Sequence, residues 1–390
     1  MDSALYPLLQ KIRDRALRLA DTLPPDERRQ MHHQELSPLL WHVGHLLYIE
    51  QYWIRERLAG YAPNRAQARL FRSDGLRKAE RGAEMPTLEV LAERERDWDP
   101  ECQALLASLR ARRANDPLMQ DAYIVQFLIQ HHSQHLETMR QVLCARALRD
   151  HDHTFEPAWA LQSAPLSCVF RVWADGLSWI GDTSAGCVYD NERPGHMVSL
   201  PPFAIADRPV SNAEYLGFME AGGYLSEPYW TQEGWHWRQH TQVEAPWHWR
   251  KSAKGLWYGL DHRGPFNLIA DAPVFGISAY EAHAVARYYR ARLPTEQEWE
   301  ASARQGLLAQ VGQAWEWCAN HFYPYPGFTA FPYRGYSMPW FDGGHRSLKG
   351  ASRFSEKAIF RPSFRNFYTP EKRHIFAGVR LCRYQISPAH

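Results

Sequence analysis

The chain has 390 residues, 45% of them hydrophobic and 23% charged, with a formal net charge of +2 when histidine is neutral. That length suits about two domains at roughly 150 residues each, and the composition excludes global disorder. So balanced a charge leaves no electrostatic footprint for nucleic acid or an anionic membrane, and neither is expected as a partner.

The opening segment, MDSALYPLLQKIRDRALRLA, is charged and amphipathic, which predicts a helix over about residues 3–23 that stops at PPDE. It lacks the apolar core of a signal peptide. A second helix begins after Ser37-Pro38, because proline is tolerated at the first helical position, and runs through LLWHVGHLLYIEQYWIRERL. The third candidate is TLEVLAERERDWDPECQALLASLRAR, which Pro100 is expected to kink or divide. The fourth is DAYIVQFLIQHHSQHLETMRQVLCARAL. Four helices with one longer connection, residues 59–86, predict an up-down bundle over residues 1–150.

Residues 151–165, HDHTFEPAWALQSAP, read as a linker. Beyond it the character changes, and residues 166–390 form the second predicted domain. Most of the 16 Trp, 19 Tyr and 17 Phe lie there, among Gly- and Pro-rich stretches, so large rings are expected to pack irregular structure. HMVSLPPFAIA suggests short strands, and SNAEYLGFMEAG and SAYEAHAVARYYRARL suggest short helices, the first capped by Ser211 or Asn212. The fold class is therefore α+β. The six cysteines, at 102, 144, 168, 187, 318 and 382, form no C-x-x-C pair and no zinc-type spacing. With no run of 18 apolar residues, the expectation is a cytoplasmic protein with free thiols and no membrane span.

The chemistry-bearing pattern is histidine. His131 and His135 stand four apart on the fourth helix, about 40° apart on one face at roughly 100° per residue. His45 lies on the second helix, and a bundle facing these helices inward brings three imidazoles together. Three neutral ligands leave open positions on a divalent metal. His42, one turn before His45, is either an alternative ligand or a group behind the ligands. His132 points about 100° away from the 131/135 face and falls outside the ligand set.

The motifs SPLLWHVGH and HHSQHLETM, followed by PVSNAEYLGFM, ARLPTEQEWEASAR, GQAWEWC, YPGF and RPSFRNFYTPEKRHIFAGVRLCR, resemble the ergothioneine-biosynthesis sulfoxide synthases over about residues 37–383. The related selenoneine synthases share that architecture. The resemblance implies a DinB-like four-helix bundle followed by an irregular, loop-rich domain like formylglycine-generating enzyme, itself C-type-lectin-like. It implies iron(II) on His45, His131 and His135, at the interface of the two domains. The implied substrates are hercynine, dioxygen and a donor: cysteine, γ-glutamylcysteine or a selenosugar. The implied reaction joins sulfur or selenium to C2 of the hercynine imidazole.

By the same resemblance, Gln134 hydrogen-bonds the substrate imidazole, and Asn366 and Phe367 flank the trimethylammonium group. Tyr368 stands where some members place an Asp for the donor's amine. Glu and Trp of LPTEQEWE and GQAWEW are expected to tie loops together through buried hydrogen bonds. One departure is plain. The connection ARLFRSDGLRKAERGAEMP has no Tyr, where related enzymes often carry a proton-donating pair. Arg72, Arg77 and Arg81 are its polar groups, available to pair with a substrate carboxylate. A catalytic phenol must then come from the second domain, with Tyr336 first among Tyr323, Tyr325, Tyr333, Tyr336 and Tyr368. Absence of the Tyr pair and of the Asp also fits a selenium donor. A zinc-dependent DinB thiol transferase would need only the bundle. A formylglycine-generating enzyme would need a reactive Cys pair near the end, where Cys382 stands alone. A non-catalytic lectin-like binding protein would hold no metal.

Overall fold

The computed structural model describes residues 5–151, 153–182 and 187–384, so the expected helix start at residue 3 and linker residue 152 lie outside it. Two compact units emerge, one up to Asp150 with Cys187 and Ser355–Ile359, the other from His151 onward.

In the first unit, α1 (Leu5–Asp21) buries Tyr6, Leu9, Ile12, Ala16 and Ala20, the three-to-four spacing that makes one apolar stripe. Helix α2 (Leu39–Glu50) starts behind Pro38 and is buried on nearly every side, so its burial is not a stripe but a whole circumference. The expected continuation to Leu58 is present, as a π-helical segment over Gln51–Leu58, where the Ala59 N–H reaches back to the Ile54 carbonyl at 3.0 Å. The long connection holds a helix that periodicity did not predict, α3 (Arg65–Phe71), capped by Asn64, whose side chain accepts from the Gln67 N–H at 3.1 Å.

Helix α4 (Leu88–Arg112) is capped by Thr87 and runs undivided through Pro100. The proline is exposed, as is Arg96, whose carbonyl it leaves without a helical donor, so water can satisfy that group. Helix α5 (Tyr123–Asp150) completes the bundle and packs on α1 and α2, while α4 also packs on both. Where α2 meets the connection, a Cβ on Gly44 would lie 2.1 Å from the Phe71 ring, so only glycine lets that ring approach.

The second unit is a set of small sheets and short helices. Its strands are β1 (Phe170–Trp173), β2 (Gly176–Ile180), β3 (His196–Leu200), β4 (Phe203–Ala206), β5 (Trp249–Lys251), β6 (Trp257–Asp261), β7 (Gly264–Phe266), β8 (Trp315–His321), β9 (Arg346–Lys349), β10 (Asn366–Tyr368), β11 (Ala377–Gly378) and β12 (Cys382–Tyr384). They pair in the orders β1-β4-β12, β10-β9-β8-β11, β2-β3 and β5-β6-β7, almost all antiparallel, with β11 parallel to β8. HMVSLPPFAIA yields both β3 and β4, separated at Pro201-Pro202, whose missing donors interrupt a ladder. Trp173, Ile180, Phe203, Ile205, Ala301 and Tyr325 form one apolar core.

Helix α6 (Asn212–Glu220) is capped by Ser211, not Asn212: the Ser211 hydroxyl accepts from the Glu214 N–H and Glu214 accepts from the Ser211 N–H at 2.9 Å. Helix α7 (Gln232–Thr241) forms inside the Trp-rich stretch where no helix was expected. Helix α8 (Ala279–Tyr288) forms within SAYEAHAVARYYRARL but stops before Leu293, and α9 (Glu296–Arg304) takes up the second half of LPTEQEWE. Its glutamates are nonetheless the expected ties. Glu296 holds Arg365, Glu298 holds Arg292 and Glu300 holds Lys349, the last at 3.0 Å with both groups fully buried.

Candidate metal centre

Among the described residues, one group of side chains is arranged to hold a metal ion: His45, His131 and His135, whose candidate ligand atoms all lie within 4.8 Å of one another. Helix α2 presents the first, and one face of α5 presents the other two. Ring centroids are 5.2 Å apart for 45/131, 4.7 Å for 45/135 and 4.6 Å for 131/135.

The lone pairs decide what this cluster wants. His45 Nδ1 stands 2.6 Å from the Phe71 carbonyl, which can only accept, so Nδ1 carries the proton. That leaves the Nε2 lone pair facing His131 Nε2 at 3.3 Å. Two imidazole nitrogens bound at about 2.1 Å to one ion lie roughly 3.0–3.4 Å apart for angles from right to tetrahedral. The observed spacing fits a shared ion. His131 turns its other nitrogen to His132 Nδ1 at 3.2 Å, and His135 meets His42 Nδ1 at 2.9 Å. Thus His132 stands outside the cluster, as helical geometry predicted, and His42 sits against His135 rather than completing a fourth corner.

Burial keeps these rings neutral. It pushes His45 down to about 4 and His42 to about 3, and holds His131 and His135 well below the ordinary value, each ring also opposing charge on its neighbours. A metal arriving at pH 7 therefore displaces no proton from them. Metal-free protein should lose stability on acidification. The unfolded chain takes up protons below its ordinary histidine value of about 6.5, and the folded state does not until about 4. Each such histidine contributes a slope of about 1.4 kcal/mol per pH unit in that window, with full stability above it. Urea midpoints of the metal-free protein at pH 7.5, 6 and 5 check this; a flat profile contradicts it.

The connection after α2 builds one wall. Besides the Phe71 carbonyl, it brings Leu70, whose carbonyl accepts from Trp41 Nε1 at 3.0 Å. Trp41 stacks on His45 at 4.5 Å, and the buried Arg81 guanidinium covers the Trp41 ring at 4.1 Å while donating to Ser37 Oγ. Sequence reasoning missed Trp41, Phe71 and Leu70; the signal was the dipeptide Trp-His at 41–42 and the glycine at 44. Arg81 was proposed for a substrate carboxylate and is instead packed under the Trp ring. Arg72 and Arg77 lie at the surface, paired with Asp74 at 2.8 Å and with Glu80.

Gln134 is half-buried on α5, one residue before His135. Asn366, Phe367 and Tyr368 form β10, the end strand of its sheet, opposite Leu348, Ser347 and Arg346. The Asn366 carboxamide oxygen accepts from the Phe367 N–H at 3.0 Å, and Phe367 stacks on Phe322 at 4.3 Å with Trp340 at 6.0 Å. Tyr336 stacks on Tyr189 at 4.1 Å; Tyr323 and Tyr333 are exposed, and Tyr325 belongs to the apolar core. Burial pushes the Cys382 thiol up to about 12 and Cys318 well above its ordinary value, so neither is a thiolate nucleophile at neutral pH.

Comparison with known proteins follows the same division. A DinB superfamily model matches residues 8–139, and a sulfatase-modifying factor enzyme 1-like domain model matches 174–311 and 305–385. The chain is 32% identical to a hercynine oxygenase of Mycobacterium tuberculosis, over 96% of this chain and 97% of that protein. It is equally 32% identical to one of Mycolicibacterium thermoresistibile, over 95% and 92%. A formylglycine-generating enzyme of Streptomyces coelicolor is 34% identical over only 33% of this chain and 43% of its own. Among the described residues no helix is long and apolar enough to cross a membrane.

Proposed function

The chain belongs to the ergothioneine sulfoxide synthase family, and on that premise we propose that it is an iron(II)- and dioxygen-dependent enzyme that forms a C–S bond at the imidazole C2 of hercynine. The observation that supports the iron is the pair of Nε2 lone pairs facing each other at 3.3 Å in a cluster of three neutral imidazoles. The reaction balances as hercynine C2–H plus thiol S–H plus O2 giving the C2–S sulfoxide and water: carbon and sulfur lose the two hydrogens, and dioxygen supplies the sulfoxide oxygen and the oxygen of water.

His45, His131 and His135 would hold the ion; bound iron(II) supplies open coordination positions and the electron that activates dioxygen. The chain's own residues do the rest. The Phe71 carbonyl and the His42 and His132 rings hold the three imidazoles in place. Gln134 is assigned to the substrate imidazole. The aromatic faces of Phe367, Phe322 and Trp340, beside Asn366, suit a trimethylammonium cation, which carries no N–H and is attracted to ring faces. Tyr368 is assigned to the donor side. Hercynine should accordingly bind the iron-loaded protein at least about tenfold more tightly than histidine, the scale of a desolvated cation–π contact. Calorimetry decides it, and equal affinities would remove hercynine from the reading.

Tyr336 is assigned as the phenol that delivers a proton. Tyr336→Phe keeps the ring and its stacking on Tyr189 while removing the hydroxyl. C–S product should fall by roughly 10²–10⁴-fold, the usual scale of losing a positioned acid, while oxidation of the thiol alone continues. Unchanged product yield would clear Tyr336.

The connection between α2 and α4 favours a second reading. Residues 67–86 hold no phenol, and Arg72 and Arg77 are engaged with Asp74 and Glu80. A selenosugar donor giving a C–Se bond is that reading. The deciding experiment is anaerobic loading with iron(II), addition of oxygenated buffer with hercynine and either cysteine, γ-glutamylcysteine or a selenosugar, and mass analysis of products. Product from a thiol supports the first reading, product from the selenosugar alone supports the second, and zinc retention with none points to thiol transfer. Small-molecule substrates are the proposed partners, in the cytoplasm.

A further inference from the structure

Behind the three imidazoles runs a line of polar side chains that the metal itself would not touch. His131 Nδ1 lies 3.2 Å from His132 Nδ1, and His132 Nε2 lies 2.9 Å from Glu50 Oε1. The other Glu50 oxygen accepts from Arg13 at 3.1 Å and from Trp98 Nε1 at 2.9 Å. Glu50 and His132 are fully buried and Arg13 is 3% exposed. These buried groups satisfy one another.

The proton positions follow from the acceptor at the far end. A carboxylate only accepts, so His132 Nε2 must donate to Glu50. With the proton of the His132 tautomer at Nε2, Nδ1 presents a lone pair, and His131 donates its Nδ1–H to it. That leaves the His131 Nε2 lone pair directed at His45 Nε2, the place where an ion would sit. Although burial pushes Glu50 up, Arg13 and the hydrogen bonds from His132 and Trp98 hold it below the usual carboxylate range, so the accepting end stays charged. Arg13 keeps two further carboxylates, Glu95 at 3.4 Å and Asp99.

We infer that Glu50 and His132 are positioning residues, a carboxylate–imidazole pair that selects the nitrogen His131 offers to the metal and strengthens it as a donor. The inference rests on the iron reading above. A carboxylate behind a ligating imidazole raises its basicity, which favours the higher charge on iron and lowers its reduction potential. Its anchor is unusual in standing two residues from the metal rather than one, with a second imidazole between.

The test uses the full chain and iron(II) alone. His132→Phe keeps bulk and removes both hydrogen-bonding atoms; His132→Gln keeps an acceptor for His131 and a donor for Glu50. Iron(II) affinity should fall about 10- to 100-fold in H132F, the usual loss for an outer partner, and recover most of that loss in H132Q. Glu50→Gln leaves Arg13 its other carboxylates and should raise the iron reduction potential relative to wild type. A site that needs only filled space would bind iron as well with Phe as with Gln, and that result overturns the inference, as does a wild-type potential in E50Q. If H132F loses its circular dichroism, the potential of E50Q decides. Wild-type protein that binds no iron(II) would instead overturn the metal reading itself, and the positioning role with it.

Discussion

Replacing His131 or His135 with alanine is expected to abolish tight iron(II) binding while leaving the helical unit folded. Loss of an outer partner costs about 10- to 100-fold in metal affinity, and loss of a ligand exceeds it, so at least about 100-fold is expected for either variant. The fold should survive because the apolar packing of α5 is carried by Ile124, Phe127, Leu128, Leu136, Met139 and Val142, all of which both variants keep. With iron(II) at 100 times the wild-type dissociation constant, wild type should gain about 2.7 kcal/mol and the variants almost nothing. Bound iron per chain and the iron-induced shift in melting temperature read both halves. Full occupancy in both variants would end the assignment. His42→Ala should lose less affinity than His45→Ala, because His42 meets His135 and lies outside the group of His45, His131 and His135; the reverse order would exchange their roles.

The histidine spacing carried the cluster because helical periodicity is rigid: four residues on α5 fix two side chains on one face whatever surrounds them. His132 was placed outside the ligand set by the same geometry. What periodicity cannot show is contact between elements. Nothing in the order of residues says that the carbonyl of Phe71, 26 positions beyond His45, accepts its Nδ1–H, or that Glu50 reaches His132 across 82 positions. Helix α3 was missed because seven residues are too few for a periodic signal, although Asn64 three residues before Gln67 was a legible cap. Pro100 was read as a break because sequence gives no exposure, and an exposed proline costs a helix less than a buried one. The motifs of the second unit were legible as a family resemblance, whereas their strands, two to seven residues long, were not legible from alternation.

Much of that second unit's order comes from arginine–glutamate pairs instead of long elements. Arg361 and Ser363 converge on Glu192, Arg373 and Tyr224 on Glu281, and Arg365 on Glu296 with its guanidinium over the Tyr325 ring at 4.1 Å. Each joins segments far apart in sequence, and each leaves a buried charge if one partner is removed.

Arg380 and Glu316 are where that cost should be largest. Both are fully buried. Arg380 grips the carboxylate with two bonds, of 2.7 and 2.8 Å, and donates as well to the carbonyls of Ala206 at 2.9 Å and Ala309 at 3.0 Å. Glu316, on β8, also accepts from Trp299 Nε1 at 2.5 Å, so one pair ties β4, β8, α9 and the segment before β12. Arg380→Met keeps most of the bulk but strands the carboxylate with a single neutral donor and leaves two carbonyls unpaired. Removing one partner of a buried pair costs about 3–5 kcal/mol, against a whole-domain stability of about 5–15 kcal/mol. The expected result is a urea midpoint for the second unit lowered by about a fifth or more of its wild-type value. The double variant Arg380→Met with Glu316→Gln removes the stranded charge and should recover part of that loss, because the penalty lies in the unpaired carboxylate and not in the missing bond. Equal midpoints for R380M and wild type would show that water reaches Glu316. A double variant no more stable than R380M would assign the cost to the two orphaned carbonyls.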